Sequence, residues 1–179
     1  MATPGSPFTA VADLDGGVAI CPGSYDPVTY GHVDIIARAA RVFSRVVVGV
    51  VNQPVRKPTT LFSAAERKEF LLQATEKLDN VEVDVFDTLL VDFARKHGAG
   101  ALVKGLRAIS DFEYEFEMNQ LNRKLAADIE SVYMMASPEY SFLSSSGIKE
   151  LATFGANIDD LVPPYVAKAL HDQLSRQGA

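Results

Sequence analysis

The run Val46-Val47-Val48-Gly49-Val50-Val51 constrains this chain more than any other feature. Successive side chains of a strand point to opposite faces, so an unbroken β-branched run is apolar on both sides. Both sides must then be covered, which is the situation of a strand inside a parallel sheet flanked by helices. The remaining sequence supplies those helices and further strands. Val18 to Cys21 is a short apolar run stopped by Pro22-Gly23, as in a buried strand ending in a turn. Val33, Ile36, Ala37 and Ala40 recur at helical spacing. Ser63 and Glu66 have the spacing of a capping box for a helix through Thr75, with Phe62 placed to staple onto it. Val81, Val83 and Val85 alternate as in a strand. Leu89 to His97 reads as a helix that Gly98 ends. Ala101 to Lys104 is a fourth short strand, Asp111 to about Ala127 a long helix, and Ser131 to Ala136 a fifth strand. Ser144 or Ser145 can cap a helix to Phe154, and Pro164 suits the first turn of a last one.

Strands that alternate with helices imply right-handed βα units. The expected fold is α/β, a Rossmann-like doubly wound five-stranded parallel sheet with helices on both faces. Residues 1–17 read as a flexible tail, and residues 18–179 as a single domain that includes the C-terminal helices. In such sheets ligands bind beyond the carboxyl ends of the strands, near the switch in strand order.

Composition narrows the function. The 179 residues are 47% apolar and 22% charged, which excludes disorder over the whole length. The one cysteine, Cys21, excludes a disulfide framework and a cysteine-rich zinc site, and reads as a buried strand-end residue. His97 and His171 have no zinc spacing and read as surface helix residues. A net charge of -6 disfavours nucleic acid as a partner. No apolar run approaches the roughly 18 residues needed to span a bilayer, and the first residues lack the pattern of a signal peptide. A cytoplasmic protein without membrane contact is expected.

Three strand-end loops carry groups suited to phosphate. After the first strand stands Gly23-Ser24-Tyr25-Asp26-Pro27-Val28-Thr29-Tyr30-Gly31-His32. It offers a hydroxyl, close backbone approach, a helix start and an imidazole. After the fourth strand stands Lys104-Gly105-Leu106-Arg107, followed by Asp111-Phe112-Glu113-Tyr114-Glu115. After the fifth stands Tyr140-Ser141-Phe142-Leu143-Ser144-Ser145-Ser146-Gly147-Ile148-Lys149. Taken singly, each could also be a loop of turn formers, surface ion pairs or helix caps.

Together they resemble a known family. The first loop resembles the T/S-x-D-P-x-x-x-G-H signature of the nucleotidyltransferase superfamily. The second and third are similar to the R/K-G-L-R…D-F-E-Y-E block and the W/Y-S-F-I/V-S-S-S segment of the phosphopantetheine adenylyltransferases. The resemblance runs from about Val18 to Leu170; Lys104 stands where many members have Arg, and Gly147 where a larger apolar residue is usual. It implies transfer of the adenylyl group from ATP to 4′-phosphopantetheine, giving dephospho-coenzyme A and pyrophosphate by in-line attack. It also implies Mg2+ carried mainly on the ATP phosphates, no protein-bound metal, a homohexamer, and coenzyme A as a product-like inhibitor.

By resemblance, His32, Ser24 and Lys104 are the catalytic candidates. ATP would be held by Ser24, Tyr25, His32, Gly105, Leu106, Arg107, Glu115 and Tyr140, with Ser141, Phe142, Leu143, Ser144, Ser145 and Ser146 closing over it. The acceptor would meet Ser24, Lys104, Leu90 and either Arg56 or Lys57; counting from the second strand favours the first of that pair, residue type the second. Two alternatives stand beside this reading. One is another small-molecule nucleotidylyltransferase, and the other a non-catalytic adenine-nucleotide sensor, which would not need the acceptor cations.

Overall fold

The computed structural model describes residues 17–54 and 59–177. Five parallel strands form one sheet in the order β3-β2-β1-β4-β5. They are β1 (Val18–Gly23), β2 (Arg45–Val51), β3 (Val81–Phe86), β4 (Ala101–Leu106) and β5 (Glu130–Met135). The helices are α1 (Tyr30–Ala40), α2 (Ala64–Ala74), α3 (Leu90–Lys96), α4 (Ile109–Leu125), α5 (Ser145–Thr153) and α6 (Pro164–Gln177). The chain winds outward from β1 to β3, crosses back, and continues from β4 to β5 on the other side. The strand order therefore switches between β1 and β4.

Alternation along the strands divides the core in two. Ala19, Cys21, Val46, Val48, Val50 and Val103 face α1, α2, α5 and α6. Ile20, Val47 and Leu102 face the opposite way, toward Val91, Phe93 and Ala94 of α3. Each fully buried valine of β2 contributes roughly 1.5–3 kcal/mol, so a one-residue slip in register would forfeit several such terms at once. Val162, Val166 and Leu170 belong to the first of these clusters, so α6 shares the core of the sheet.

Gly49 interrupts the valine run for a steric reason. A Cβ there would stand 2.8 Å from the Phe93 ring and 3.1 Å from that of Phe86. Those two rings stack at 4.5 Å and 19° directly over the strand.

Most of the element boundaries lie within two residues of those read from the sequence. Ser63 caps α2 in a complete capping box with Glu66, and the buried Phe62 ring lies edge-on to Phe70 of that helix. Gly98 follows α3 at φ 66, as a helix-ending glycine does.

Three expectations need correction. The buried stripe of α1 is Ile35, Ile36 and Ala39, rotated from the one expected because α1 leans its Ile35 edge onto Gly105 of β4. Gly17 is no part of a tail, since its carbonyl accepts the backbone N–H and hydroxyl of Ser44; residues 1–16 lie outside the described residues. His97 is not a surface helix residue. It caps α3 with its side chain 12% exposed, Nε2 3.1 Å from the Asp84 carboxylate, and its ring edge-on to Phe93.

Candidate active site

A cavity of about 520 Å³ opens at the carboxyl ends of β1 and β4, where the strand order switches. Its walls bring together loops separated by more than a hundred residues. Ser24, Tyr25 and His32 come from the first loop, Lys104, Gly105, Arg107 and Glu115 from the second, and Tyr140, Leu143, Ser144 and Ser145 from the third.

His32 is fixed by the helix it begins. Thr29 is the N-cap of α1, and its hydroxyl accepts the His32 backbone N–H at 3.4 Å. In return the Thr29 backbone N–H donates to His32 Nδ1 at 3.0 Å. This is a capping box with an imidazole in the position usually taken by Glu or Gln. A ring nitrogen that accepts an N–H carries no proton, so the neutral ring bears its proton on Nε2. The ring is therefore set as a hydrogen-bond donor through Nε2. Tyr25 packs edge-on against it at 5.1 Å. The Tyr25 hydroxyl donates to the Cys21 carbonyl, and burial pushes its pKa well above the usual value, so Tyr25 orients the loop through its ring.

Lys104 and Glu115 form an ion pair at 3.0 Å, both side chains mostly enclosed. Arg107 sits between the second and third loops. Its Nη1 donates to the Leu143 carbonyl at 2.7 Å, and its other side binds both oxygens of Asp111. Burial alone would raise the Asp111 pKa, but these bonds and the backbone N–H groups of Arg107 and Ala108 hold it below the usual carboxylate range. Ser144 caps α5 by accepting the Gly147 N–H at 3.0 Å. Gly147 suits this turn, since a Cβ there would come within 3.1 Å of the Ser144 hydroxyl oxygen. Ser145 donates to the Pro27 carbonyl at 2.9 Å, which fastens α5 to the first loop.

Other expected residues stand apart from the cavity. Leu106 is turned into the core. Ser141 donates to the Pro138 carbonyl, Phe142 is 71% exposed, and Ser146 is an exposed residue of the first turn of α5. Leu90 opens α3 and packs partly on the core beneath that helix. Arg56 and Lys57 lie outside the described residues.

Sequence reasoning missed Thr29, Asp26, Arg67, Asp111 and Lys149, all of which hold the rim together. Asp26 and Asp111 stood inside the quoted motifs, and Thr29 stands three residues before His32, the spacing of a capping box. Lys149 stands at the end of the third loop stretch, and Arg67 gave no signal, because a cation on an amphipathic helix usually faces water.

A strand-order switch bearing a helix-start imidazole, cations and a serine cap is the architecture of a nucleotidyltransferase. In agreement, the family model described as cytidylyltransferase-like matches residues 20–151. Similar proteins named phosphopantetheine adenylyltransferase occur in Caldanaerobacter subterraneus subsp. tengcongensis, 50% identical over 89% of this chain and 98% of the relative, and in Symbiobacterium thermophilum, 51% identical over 88% and 96%. A third, from Synechococcus elongatus, is 50% identical over 87% of this chain and 92% of its own. The chain belongs to the phosphopantetheine adenylyltransferase family.

Proposed function

We propose that the chain transfers the adenylyl group of ATP to 4′-phosphopantetheine, producing dephospho-coenzyme A and pyrophosphate, a step of coenzyme A biosynthesis. The observation that carries this reading is the meeting of Ser24, His32, Lys104, Arg107 and Ser144 around one cavity, in a chain about half identical to relatives of that name over nearly their whole length. A phosphate oxygen of the acceptor attacks the α-phosphorus, the bond from that phosphorus to the bridging oxygen of the β-phosphate breaks, and pyrophosphate leaves with the electron pair. The acceptor monoester has a second pKa of about 6 and is mostly dianionic at neutral pH, so no general base is needed. The work is to align two anions and to stabilise charge as it builds.

His32 donates from Nε2 to the reacting phosphates, with the Ser24 hydroxyl beside it. Lys104 holds the acceptor phosphate, assisted by Arg56 or Lys57, and its pairing with Glu115 keeps the ammonium in place. Arg107 and the start of α5 grip the nucleotide, the helix N-terminus favouring anions. No covalent intermediate is invoked, because His32 accepts the Thr29 N–H at Nδ1 and carries its proton on Nε2, which leaves it no free acceptor nitrogen to activate Ser24. Among the described residues no cluster of three His, Cys, Asp or Glu side chains could hold an ion. The two carboxylates of the cavity, Asp111 and Glu115, are each paired with a cation. This donor set fits Mg2+ that arrives on the ATP phosphates with its water, and there it would neutralise phosphate charge.

The reading includes a homohexamer, supported by the apolar side chains that α4 leaves exposed, Ile109, Phe112, Phe116, Leu121 and Leu125. It includes coenzyme A as a product-like inhibitor, and the cytoplasm, where ATP is supplied. Among the described residues no helix is long and apolar enough to cross a membrane.

The test is pyrophosphate release from ATP with 4′-phosphopantetheine, set against nicotinamide mononucleotide and glycerol phosphate as acceptors. Release with 4′-phosphopantetheine alone is expected. Release with another acceptor would move the chain elsewhere in the superfamily, and nucleotide binding without release would make it a sensor.

A further inference from the structure

Outside the lining of the cavity lies a charged cluster of Asp26, Arg67 and Lys149. Asp26 is 2% exposed. Its Oδ1 accepts the Phe62 N–H at 2.9 Å, and its Oδ2 accepts the Leu61 N–H at 3.0 Å and the Lys149 ammonium at 2.7 Å. Arg67 is fully buried. It donates to four backbone carbonyls: Phe62 at 3.1 Å, Ser24 at 2.6 Å, Val51 at 2.8 Å and Asn52 at 2.9 Å. Burial lowers the Arg67 pKa and the nearby Asp26 opposes that change.

These bonds have a pattern. Arg67 ties the carbonyl of Ser24, a catalytic candidate, to both ends of the segment that contains Arg56 and Lys57. Asp26 ties the same loop to the far end of that segment through two backbone N–H groups. Lys149, one turn into α5, connects Asp26 to the helix whose N-terminus faces the nucleotide. One cluster thus joins the three rim segments that the proposed reaction must hold in line. A plain core would not need ions here, since breaking a buried pair is costly and apolar substitutes often serve as well for stability.

We infer that Asp26, Arg67 and Lys149 are positioning residues that set the nucleotide helix, the Ser24–His32 loop and the stretches Val51–Asn52 and Leu61–Phe62 at a fixed mutual distance. The inference rests on the function proposed above for this rim. A guanidinium forked over several carbonyls resists displacement in a way one ammonium cannot, so Arg67 is not replaceable by Lys. In-line transfer between two anions is steep in alignment, and an error of about 1 Å can cost on the order of 100-fold in rate.

The test compares Lys149→Met, Lys149→Arg, Arg67→Lys and Asp26→Asn. Lys149 is the gentlest site, its side chain being 26% exposed. For Lys149→Met the expected result is a folded protein with kcat lowered about 10- to 100-fold and KM for ATP within about threefold of the parent. Lys149→Arg, which keeps the cation on Asp26, should recover most of that loss. Arg67→Lys should lower kcat without recovery. Amide hydrogen exchange gives a readout apart from turnover. The Leu61 and Phe62 amides should be protected in the parent and exchange at least about tenfold faster in Asp26→Asn, with β2 unchanged. Unchanged kcat per folded molecule in Lys149→Met, or unchanged exchange at Leu61 and Phe62, would overturn the inference. Should the parent protein release no pyrophosphate, the proposed function fails, and the exchange result alone decides whether the clamp exists.

Discussion

Replacing His32 should produce two separable losses, because the side chain does two jobs with two nitrogens. Nδ1 completes the capping box of α1 by accepting the Thr29 N–H at 3.0 Å. Losing a cap acceptor costs roughly 0.5–2 kcal/mol. In the proposed reaction Nε2 donates to the reacting phosphates, and losing a transition-state donor costs about 10²–10³ in kcat, or ~2.7–4 kcal/mol. His32→Ala removes both. It should lower the thermal midpoint by about 2–4 °C per kcal/mol lost in a protein of this size, and turnover by about 10²–10³-fold. His32→Glu restores an ordinary capping-box acceptor but offers no donor and adds negative charge. Its midpoint should return to within about 2 °C of the parent, while turnover falls at least as far as in the alanine variant. The assays are thermal unfolding followed by circular dichroism, and pyrophosphate release at saturating substrates. Equal midpoints for the alanine and glutamate variants would refute the cap. Near-normal turnover in either variant would refute the donor.

Other consequences can be checked as directly. Lys104→Ala should raise KM for the acceptor or reduce kcat in steady-state kinetics; a change in neither would make the Lys104–Glu115 pair structural. Asp111 has a depressed pKa, so its contribution to stability is present above the unfolded value near 3.9 and is lost as pH falls through the folded value. Denaturant midpoints of parent and Asp111→Asn should therefore differ most above about pH 5 and converge in more acid solution. A difference that persists unchanged at low pH would dismiss the linkage. The Cys21 thiol is buried and its pKa is pushed up to about 12, so an aromatic disulfide reagent at pH 8 should label it only after unfolding. Rapid labelling of the native protein would contradict its burial. Finally, kcat/KM for the acceptor should fall below about pH 6 as its phosphate gains a proton. A flat profile there would argue against a dianionic nucleophile.

What could be read in advance was what depends on local physics. The valine run marked β2, Ser63 and Glu66 marked the start of α2, and Gly98 the end of α3, since each signal is confined to a few residues. The rim loops were readable because Gly, Ser, His and basic residues gather there in motif order. Harder to read was anything decided across the sheet. The rotation of α1 depends on Ile35 meeting Gly105, seventy residues away. The burial of His97 depends on Asp84 of the neighbouring strand. No local pattern gives Arg67 or Lys149 a partner, and only the folded chain shows the carbonyls and carboxylate that they bind. Tyr25 lines the cavity, yet its hydroxyl turns inward to the Cys21 carbonyl, an orientation that no local pattern announces.

The measurement that bears most directly on the account is a crystal structure with a non-hydrolysable ATP analogue bound. The triphosphate should lie across the ends of β1 and β4, one of its oxygens within hydrogen-bond distance of His32 Nε2 and the chain of phosphates leading toward the first turn of α5. A nucleotide ordered elsewhere, with its phosphates out of reach of both, would contradict it.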